Sequence, residues 1–285
     1  MIPMRESAPA KVNLILQVGG RRADGLHEIC SLFGSIELAD ELTIGPAERG
    51  SHEIVCDGVA GENIAGAALA RFEAALGRSL EPLRVEIEKR IPIAAGLGGG
   101  SADAAAVLRA ANRRAGEPFA LERLRSIATE VGADVPSQVH PAHALVTGVG
   151  EEVEEITLPA YGLVLLPHAG GLSTAAVYAE ADRIAACRAR LDPEAVRARA
   201  ALGPDELASG LENDLERAAV SLLPQIPAAL EALRAAEPLA ARVTGSGATC
   251  FGLFRDLGAA TAAVRSIEPP PGFGPAIVTA MRQNS

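Results

Sequence analysis

The stretch Pro92-Ile93-Ala94-Ala95-Gly96-Leu97-Gly98-Gly99-Gly100-Ser101-Ala102-Asp103 decides how this chain is read. It falls between residues 84–91, whose polarity alternates as in a strand, and residues 102–115, an alanine-rich run with the composition and length of a helix. Glycines let a backbone approach an anion and present its N–H groups, and the start of a helix adds unpaired donors and a partial positive charge. Ser101 suits either a helix cap or a contact to a phosphate or its metal. No Gly-Lys-Ser/Thr ending makes this a Walker loop, and the glycine spacing does not complete GxGxxG. A tight turn is the plain alternative, but glycine at 96, 98, 99 and 100 exceeds what a turn needs.

Outward from the loop, the pattern predicts strands over residues 8–18 and 35–44 and a helix over 62–76. On the other side it predicts a helix over 121–131, a turn at Gly132-Ala133-Asp134-Val135-Pro136, and a short strand over 144–147. A buried strand over 161–166 then opens a second set of elements: helices over 175–190, 213–222 and 226–236, strands over 242–244 and 250–255 around a Gly-Ser-Gly turn, a helix over 257–267 and a closing strand over 276–281. At roughly 150 residues per domain, the length of 285 predicts two domains, 1–155 and 156–285.

With 48% hydrophobic and 22% charged residues and no uniformly apolar run of about 18, the chain needs no membrane span. Its first residues carry no signal-peptide pattern, so a cytoplasmic protein is expected. Cys30, Cys56, Cys187 and Cys250 are scattered, which argues against a zinc site or a disulfide framework. A net charge of -10 without a basic stripe excludes nucleic acid as a partner but leaves room for a small anionic substrate. The expected assembly is a monomer or weak homodimer. Of the 26 cationic residues only Lys11 and Lys89 are lysines, so each lysine is informative. Lys89 reads as a solvated residue on an alternating strand, whereas Lys11 sits among small and apolar neighbours.

The pattern Pro-x-x-x-Gly-Leu-Gly running on to Ser-Ala resembles the ATP-binding loop of the GHMP kinases. Ala8-Pro9-Ala10-Lys11-Val12-Asn13-Leu14 resembles the first motif of that family, and Val243-Thr244-Gly245-Ser246-Gly247-Ala248 its third. Three segments resemble members that act on a cytidine diphosphate alcohol: Arg22-Ala23-Asp24-Gly25-Leu26-His27, Gly132-Ala133-Asp134-Val135-Pro136 and Leu211-Glu212-Asn213-Asp214-Leu215. The resemblance implies a two-domain α+β fold, with an N-terminal domain like domain 2 of ribosomal protein S5 and a ferredoxin-like C-terminal domain. It also implies transfer of a phosphoryl group from ATP, with Mg2+, to a hydroxyl of a small cytidine diphosphate substrate.

Carried across residue by residue, the resemblance makes Asp134 the acceptor of the hydroxyl proton. Lys11 orients that hydroxyl, holds negative charge nearby and keeps Asp134 ionised. Asn13, two residues beyond Lys11, shares its strand face. His27 is implied to hydrogen-bond cytosine, Tyr178 to stack on it beside Thr174, and Phe33 to line the alcohol side. For ATP, Asn63 is implied to lie near the adenosine, with Pro92, Gly96, Leu97, Gly98, Gly99, Gly100, Ser101 and Ala102 around the phosphates and Ser101 as candidate metal ligand. Without the resemblance, Asp134 reads as a turn residue, His27 as structural or solvated, and Tyr178 and Phe33 as core. Leu26 stands where the family usually has a stacking tyrosine, and Gln138 where an aromatic or apolar residue is common. Another small alcohol as acceptor, or a non-catalytic nucleotide-binding chain, are the alternatives.

Overall fold

The computed structural model describes residues 3–58 and 63–283. In chain order its elements are β1 (Met4–Arg21), β2 (His27–Pro46), β3 (Glu53–Cys56), α1 (Ile64–Leu76), β4 (Leu83–Glu88), α2 (Gly99–Arg114), α3 (Leu121–Thr129), α4 (Val135–Val139), β5 (Ala144–Thr147) and β6 (Glu152–Glu155). There follow β7 (Gly162–Leu166), α5 (Thr174–Arg183), α6 (Pro193–Ala200), α7 (Pro204–Ser209), β8 (Glu212–Asn213), α8 (Glu216–Leu222), α9 (Ile226–Arg234), β9 (Ala240–Val243), β10 (Cys250–Phe254), α10 (Leu257–Ala263) and β11 (Ile277–Ala280). Glu62, expected to begin the first helix, lies outside the described residues.

Two compact units share these elements. The first takes Met1–Ala10, Leu38–Ile91 and Gly98–Pro141; the second takes Lys11–Glu37, Pro92–Leu97 and Ala142–Ser285. They interleave in sequence, where composition alone suggests a single division at 155. The physical reason is the length of β1 and β2, each of which contributes residues to both units.

In the first unit β4 lies antiparallel to the end of β2, with Leu42 opposite Ile87, and parallel to β3, with Ile54 opposite Val85. Leu83, Val85 and Ile87 are buried while Glu86 and Glu88 are exposed, the period of two expected of a sheet covered on one face. The covering layer is α1 and α2. Asn63 caps α1 by accepting the N–H of Ala65 at 2.9 Å, and Gly77 ends it at φ 72°. Phe72, on the buried side of α1, is fully buried, a position where truncation to alanine costs about 3–5 kcal/mol. Helix α2 is buried at Ala102, Ala104, Ala105, Ala106, Ala110 and Ala111, and its small side chains allow close packing against α1.

In the second unit β11, β7, β10 and β9 form an antiparallel four-stranded sheet in that order. Numbered by sequence within the sheet, the order is 4-1-3-2, with helices between the first and second strands and between the third and fourth. That is the ferredoxin-like split βαβ arrangement expected of the C-terminal part. The same unit pairs β5 with the beginning of β2, Leu32 opposite Leu145, and β8 with β1, Ile15 opposite Glu212. No helix among the described residues is long and apolar enough to cross a membrane.

Candidate active site

In the first unit the helix that follows the glycines starts at Gly99, earlier than the expected residue 102, with Gly98 at the cap position in the left-handed region (φ 72°). Ser101 therefore lies within the first turn and is not the cap. No side chain among the described residues caps α2. Its first-turn N–H groups thus have no side-chain cap, and the positive end of a 16-residue helix is an arrangement that suits an anion. Helix α1 begins beside it: Ile64 lies within reach of a Cβ built on Gly100 (3.5 Å) or on Gly132 (3.6 Å). The cap residue Asn63, the start of α2 and the Gly132 turn therefore cluster around one side chain. Asp134, expected in a turn, occupies the cap position of the short helix α4, and Ser137 Oγ donates to its carbonyl at 2.9 Å. The carboxyl-bearing residue is partly exposed, at the edge of this cluster.

Lys89 corrects a sequence expectation. It is not a solvated strand residue: only 13% of its side chain is exposed, and Nζ donates to Asp40 Oδ2 at 2.5 Å and to Asp103 Oδ2 at 2.8 Å. A Cβ on Gly99 would crowd Lys89 Nζ at 3.3 Å and Ile91 Cγ2 at 3.0 Å, so the cluster packs closely against the start of α2. Burial alone would lower the Lys89 pKa, but the Asp103 charge and the bonds to both aspartates outweigh it and raise it. The cation is permanent. The signal available in sequence was the scarcity of lysine, which applied to Lys89 as much as to Lys11.

In the second unit the first motif, the Pro92–Leu97 segment and the third motif converge. Lys11 is 5% exposed; Nζ donates to Asn13 Oδ1 at 2.7 Å and sits 4.6 Å above the centre of the Phe33 ring. The Lys11 N–H donates to Leu97 O at 3.0 Å, and the Asn13 N–H to Thr244 Oγ1 at 2.8 Å. Asn13 Nδ2 donates to Ser31 Oγ at 2.8 Å, which fixes the amide so that its oxygen faces Lys11. A Cβ on Gly245 would come within 3.1 Å of Asn13 Oδ1 and 3.7 Å of Lys11 Nζ, and one on Gly96 within 2.7 Å of Gly247 O. Asn213, part of a motif to which sequence assigned no role, holds this turn: its Nδ2 donates to Val243 O at 2.8 Å and Gly245 O at 2.9 Å. Thr174 Oγ1 and Ser246 Oγ lie 3.0 Å apart, which ties the start of α5 to the same turn.

Also in the second unit, the His27 and Tyr178 rings come together, with centroids 5.1 Å apart and planes tilted by 37°. His27 is buried and Tyr178 partly so, while Leu26 is 52% exposed. His27 Nε2 lies 2.8 Å from Asp182 Oδ1, a partner that sequence analysis did not single out. Gln138 lies in the first unit and is buried, 3% exposed.

Two family models match the chain: GHMP kinases N terminal domain over residues 63–142, and GHMP kinases C terminal over residues 194–269. A 4-diphosphocytidyl-2-C-methyl-D-erythritol kinase of Mycolicibacterium gilvum is 42% identical over 265 residues, which cover 88% of this chain and 82% of that one. A protein of the same name from Gluconacetobacter diazotrophicus is 39% identical over 283 residues, 94% of this chain and 92% of that one. A crystal structure of a 4-(cytidine 5'-diphospho)-2C-methyl-D-erythritol kinase matches with a TM-score of 0.80 at 33% identity, covering 99% of this chain and 100% of that one. A homoserine kinase from Cytophaga hutchinsonii, at 18% identity and a TM-score of 0.69 over 98% and 94% of the two chains, shares the fold.

Proposed function

Because the chain belongs to the GHMP kinase family, we propose that it is a cytoplasmic enzyme that moves the terminal phosphoryl group of ATP to the 2-hydroxyl of 4-diphosphocytidyl-2-C-methyl-D-erythritol, a step toward isoprenoid precursors. Relatives of that name at 42% and 39% identity support the acceptor. The observation that carries it is the pairing of His27 with Tyr178, 5.1 Å apart although 151 positions separate them in sequence (178 − 27). An imidazole that can hydrogen-bond a base edge beside a ring that can stack on it suits a pyrimidine.

In this reading the acceptor oxygen attacks the γ-phosphorus as its proton passes to the Asp134 carboxylate. The new O–P bond forms, the bond to the β-phosphate oxygen breaks, and ADP leaves. Such transfer depends on positioning and charge stabilisation rather than on covalent catalysis by the protein. Lys11 supplies a cation whose direction Asn13 and Phe33 fix, so it meets developing charge without reorganising. The uncapped first turn of α2 binds the phosphates, with Asn63 toward the nucleoside. For magnesium, which neutralises phosphate charge when bound, the partly exposed Ser101 hydroxyl is the suitable oxygen donor. Asp103, withdrawn by burial and by Lys89, is not.

The test is release of ADP from ATP and magnesium with the cytidyl substrate, run beside homoserine, mevalonate and sugar alcohols. Saturation at low concentration by the cytidyl compound alone is the expected result. Turnover of a different alcohol, or of none, rejects the proposal.

A further inference from the structure

We infer that Asp182 is the positioning residue that makes this site read a cytosine amino group rather than a uracil carbonyl, by fixing the proton of His27 on Nε2. The inference rests on the functional reading above, and its starting point is the 2.8 Å contact between His27 Nε2 and Asp182 Oδ1. A carboxylate only accepts hydrogen bonds, so the nitrogen it faces must carry the proton. Two further groups keep it a carboxylate: Cys187 Sγ–H donates to the same oxygen at 3.6 Å, and the Arg21 charge favours the anion. The hydrogen bond from His27 is the largest of the influences that hold Asp182 below the usual carboxylate range.

Where the ring carries a single proton, committed to Asp182 through Nε2, Nδ1 is an acceptor. Beside it stands the Tyr178 ring, on which a base can stack. Cytosine presents an amino donor at the 4-position, where uracil presents a carbonyl acceptor. An Nδ1 acceptor therefore bonds the first and is left facing a lone pair with the second, the situation in which a site built around a hydrogen bond discriminates strongly. Without Asp182 the imidazole would be free to move its proton to Nδ1, and the preference would weaken.

The three donor atoms of His27, Asp182 and Cys187 lie within 4.8 Å of one another, but the arrangement is that of a proton and not of a metal. A 2.8 Å separation is short for two ligands of a tetrahedral zinc, which bonds of about 2.0–2.2 Å would set roughly 3.4 Å apart. Burial first, and then the Asp182 bond, push the Cys187 thiol up to about 11, so it stays a donor.

The test uses the full chain and Asp182→Ala and Asp182→Glu variants, with the cytidine diphosphate substrate and its uridine counterpart. In Asp182→Ala, KM for the cytidine compound is expected to rise about tenfold, with kcat within about twofold and KM for ATP unmoved, and the cytidine-over-uridine preference to shrink by a similar factor. Asp182→Glu should restore part of that preference. Nitrogen-15 spectra of histidine-labelled protein, with His27 assigned by its loss in His27→Asn, should show the Nε2–H tautomer in the wild type and a mixture in Asp182→Ala. A wild-type Nδ1–H tautomer, or an Asp182→Ala enzyme that turns over with undiminished preference, overturns the inference alone. A wild type that neither binds cytidine diphosphate nor turns over the substrate overturns the functional reading and the discrimination together, and the spectra still decide where the proton lies.

Discussion

Lys89 Nζ lies 2.8 Å from Asp103 Oδ2, an ion pair that joins the residue just after β4 to the fifth residue of α2. One cation here serves two carboxylates. Asp40, fully buried, accepts Lys89 through Oδ2 and the N–H groups of Arg90 and Ile91 through Oδ1, at 2.6 and 2.8 Å. Asp103 accepts Lys89 through Oδ2, but its buried Oδ1 has no hydrogen-bond partner among the described residues. Burial above all pushes the Asp103 carboxyl up to about 7; the Lys89 charge opposes this and nearby Asp40 adds to it. Asp103 is therefore a much weaker acid than an ordinary carboxyl.

Removing the shared cation should be severe. Lys89→Ala leaves two buried carboxylates facing each other, and breaking a buried pair from one side costs about 3–5 kcal/mol. Equilibrium denaturation in urea should show the loss as a lowered midpoint at unchanged slope. An unfolding free energy within about 0.5 kcal/mol of the wild type would mean that the cluster is solvated in solution.

Asp103 also predicts a pH dependence. Its pKa is higher folded, about 7, than its ordinary value of 3.8, so between these limits the folded state holds more protons than the unfolded one. Stability from this group is then greatest at low pH and falls as pH rises toward 7, at up to roughly 1.4 kcal/mol per pH unit. Asp103→Asn cannot titrate. The stability difference between wild type and variant should therefore shift in favour of the variant as pH is raised from 5 to 8, read as thermal midpoints across that range. A constant difference would show that Asp103 is ionised throughout.

The elements legible in sequence were those whose side chains repeat with one period. The predicted strand over 144–147 matches β5, and the alternation of Leu83, Val85 and Ile87 marks β4. The glycine loop, Lys11 and Asn13 were legible because their residue types are restrictive. Three kinds of feature were not. The helix start at Gly99 was hidden because a left-handed Gly98 serves as its cap, where sequence rules look for Ser or Asp. The partners of Lys89 were hidden because Asp40 and Asp103 lie 49 and 14 positions away, and only tertiary packing brings them together. Asp182 was hidden for the same reason, being 155 positions from His27.

If Asp134 takes the acceptor proton, its amide analogue should bind ATP and fail to turn it over. Asp134→Asn preserves the shape of the side chain at the cap position of α4, so folding should survive. The expected loss is about 10²–10⁴ in kcat, with the ATP dissociation constant within about twofold of the wild type. Calorimetric titration of ATP beside coupled ADP release measures both. Equal loss of binding and turnover would make Asp134 a structural residue instead.

The glycines of the loop should separate into two classes. Gly96 has φ 75°, and a Cβ there would lie 2.7 Å from Gly247 O and 3.0 Å from Thr244 O, both backbone atoms that cannot rotate away. Gly100 stands in the first turn of α2, where a Cβ would touch Ile64 Cγ2 at an ordinary 3.5 Å. Gly96→Ala should thus lose on the order of 1–3 kcal/mol of stability through backbone strain and displacement of the Gly245–Gly247 turn. Gly100→Ala should gain about 0.5–1 kcal/mol, because alanine is the better helix residue, yet weaken ATP binding if the phosphates approach the first turn of α2 as proposed. Thermal midpoints and ATP titrations of the two variants should therefore move in different combinations. If Gly100→Ala were as destabilised as Gly96→Ala, the close approach of Gly96 to the Gly247 carbonyl would not be what demands glycine there.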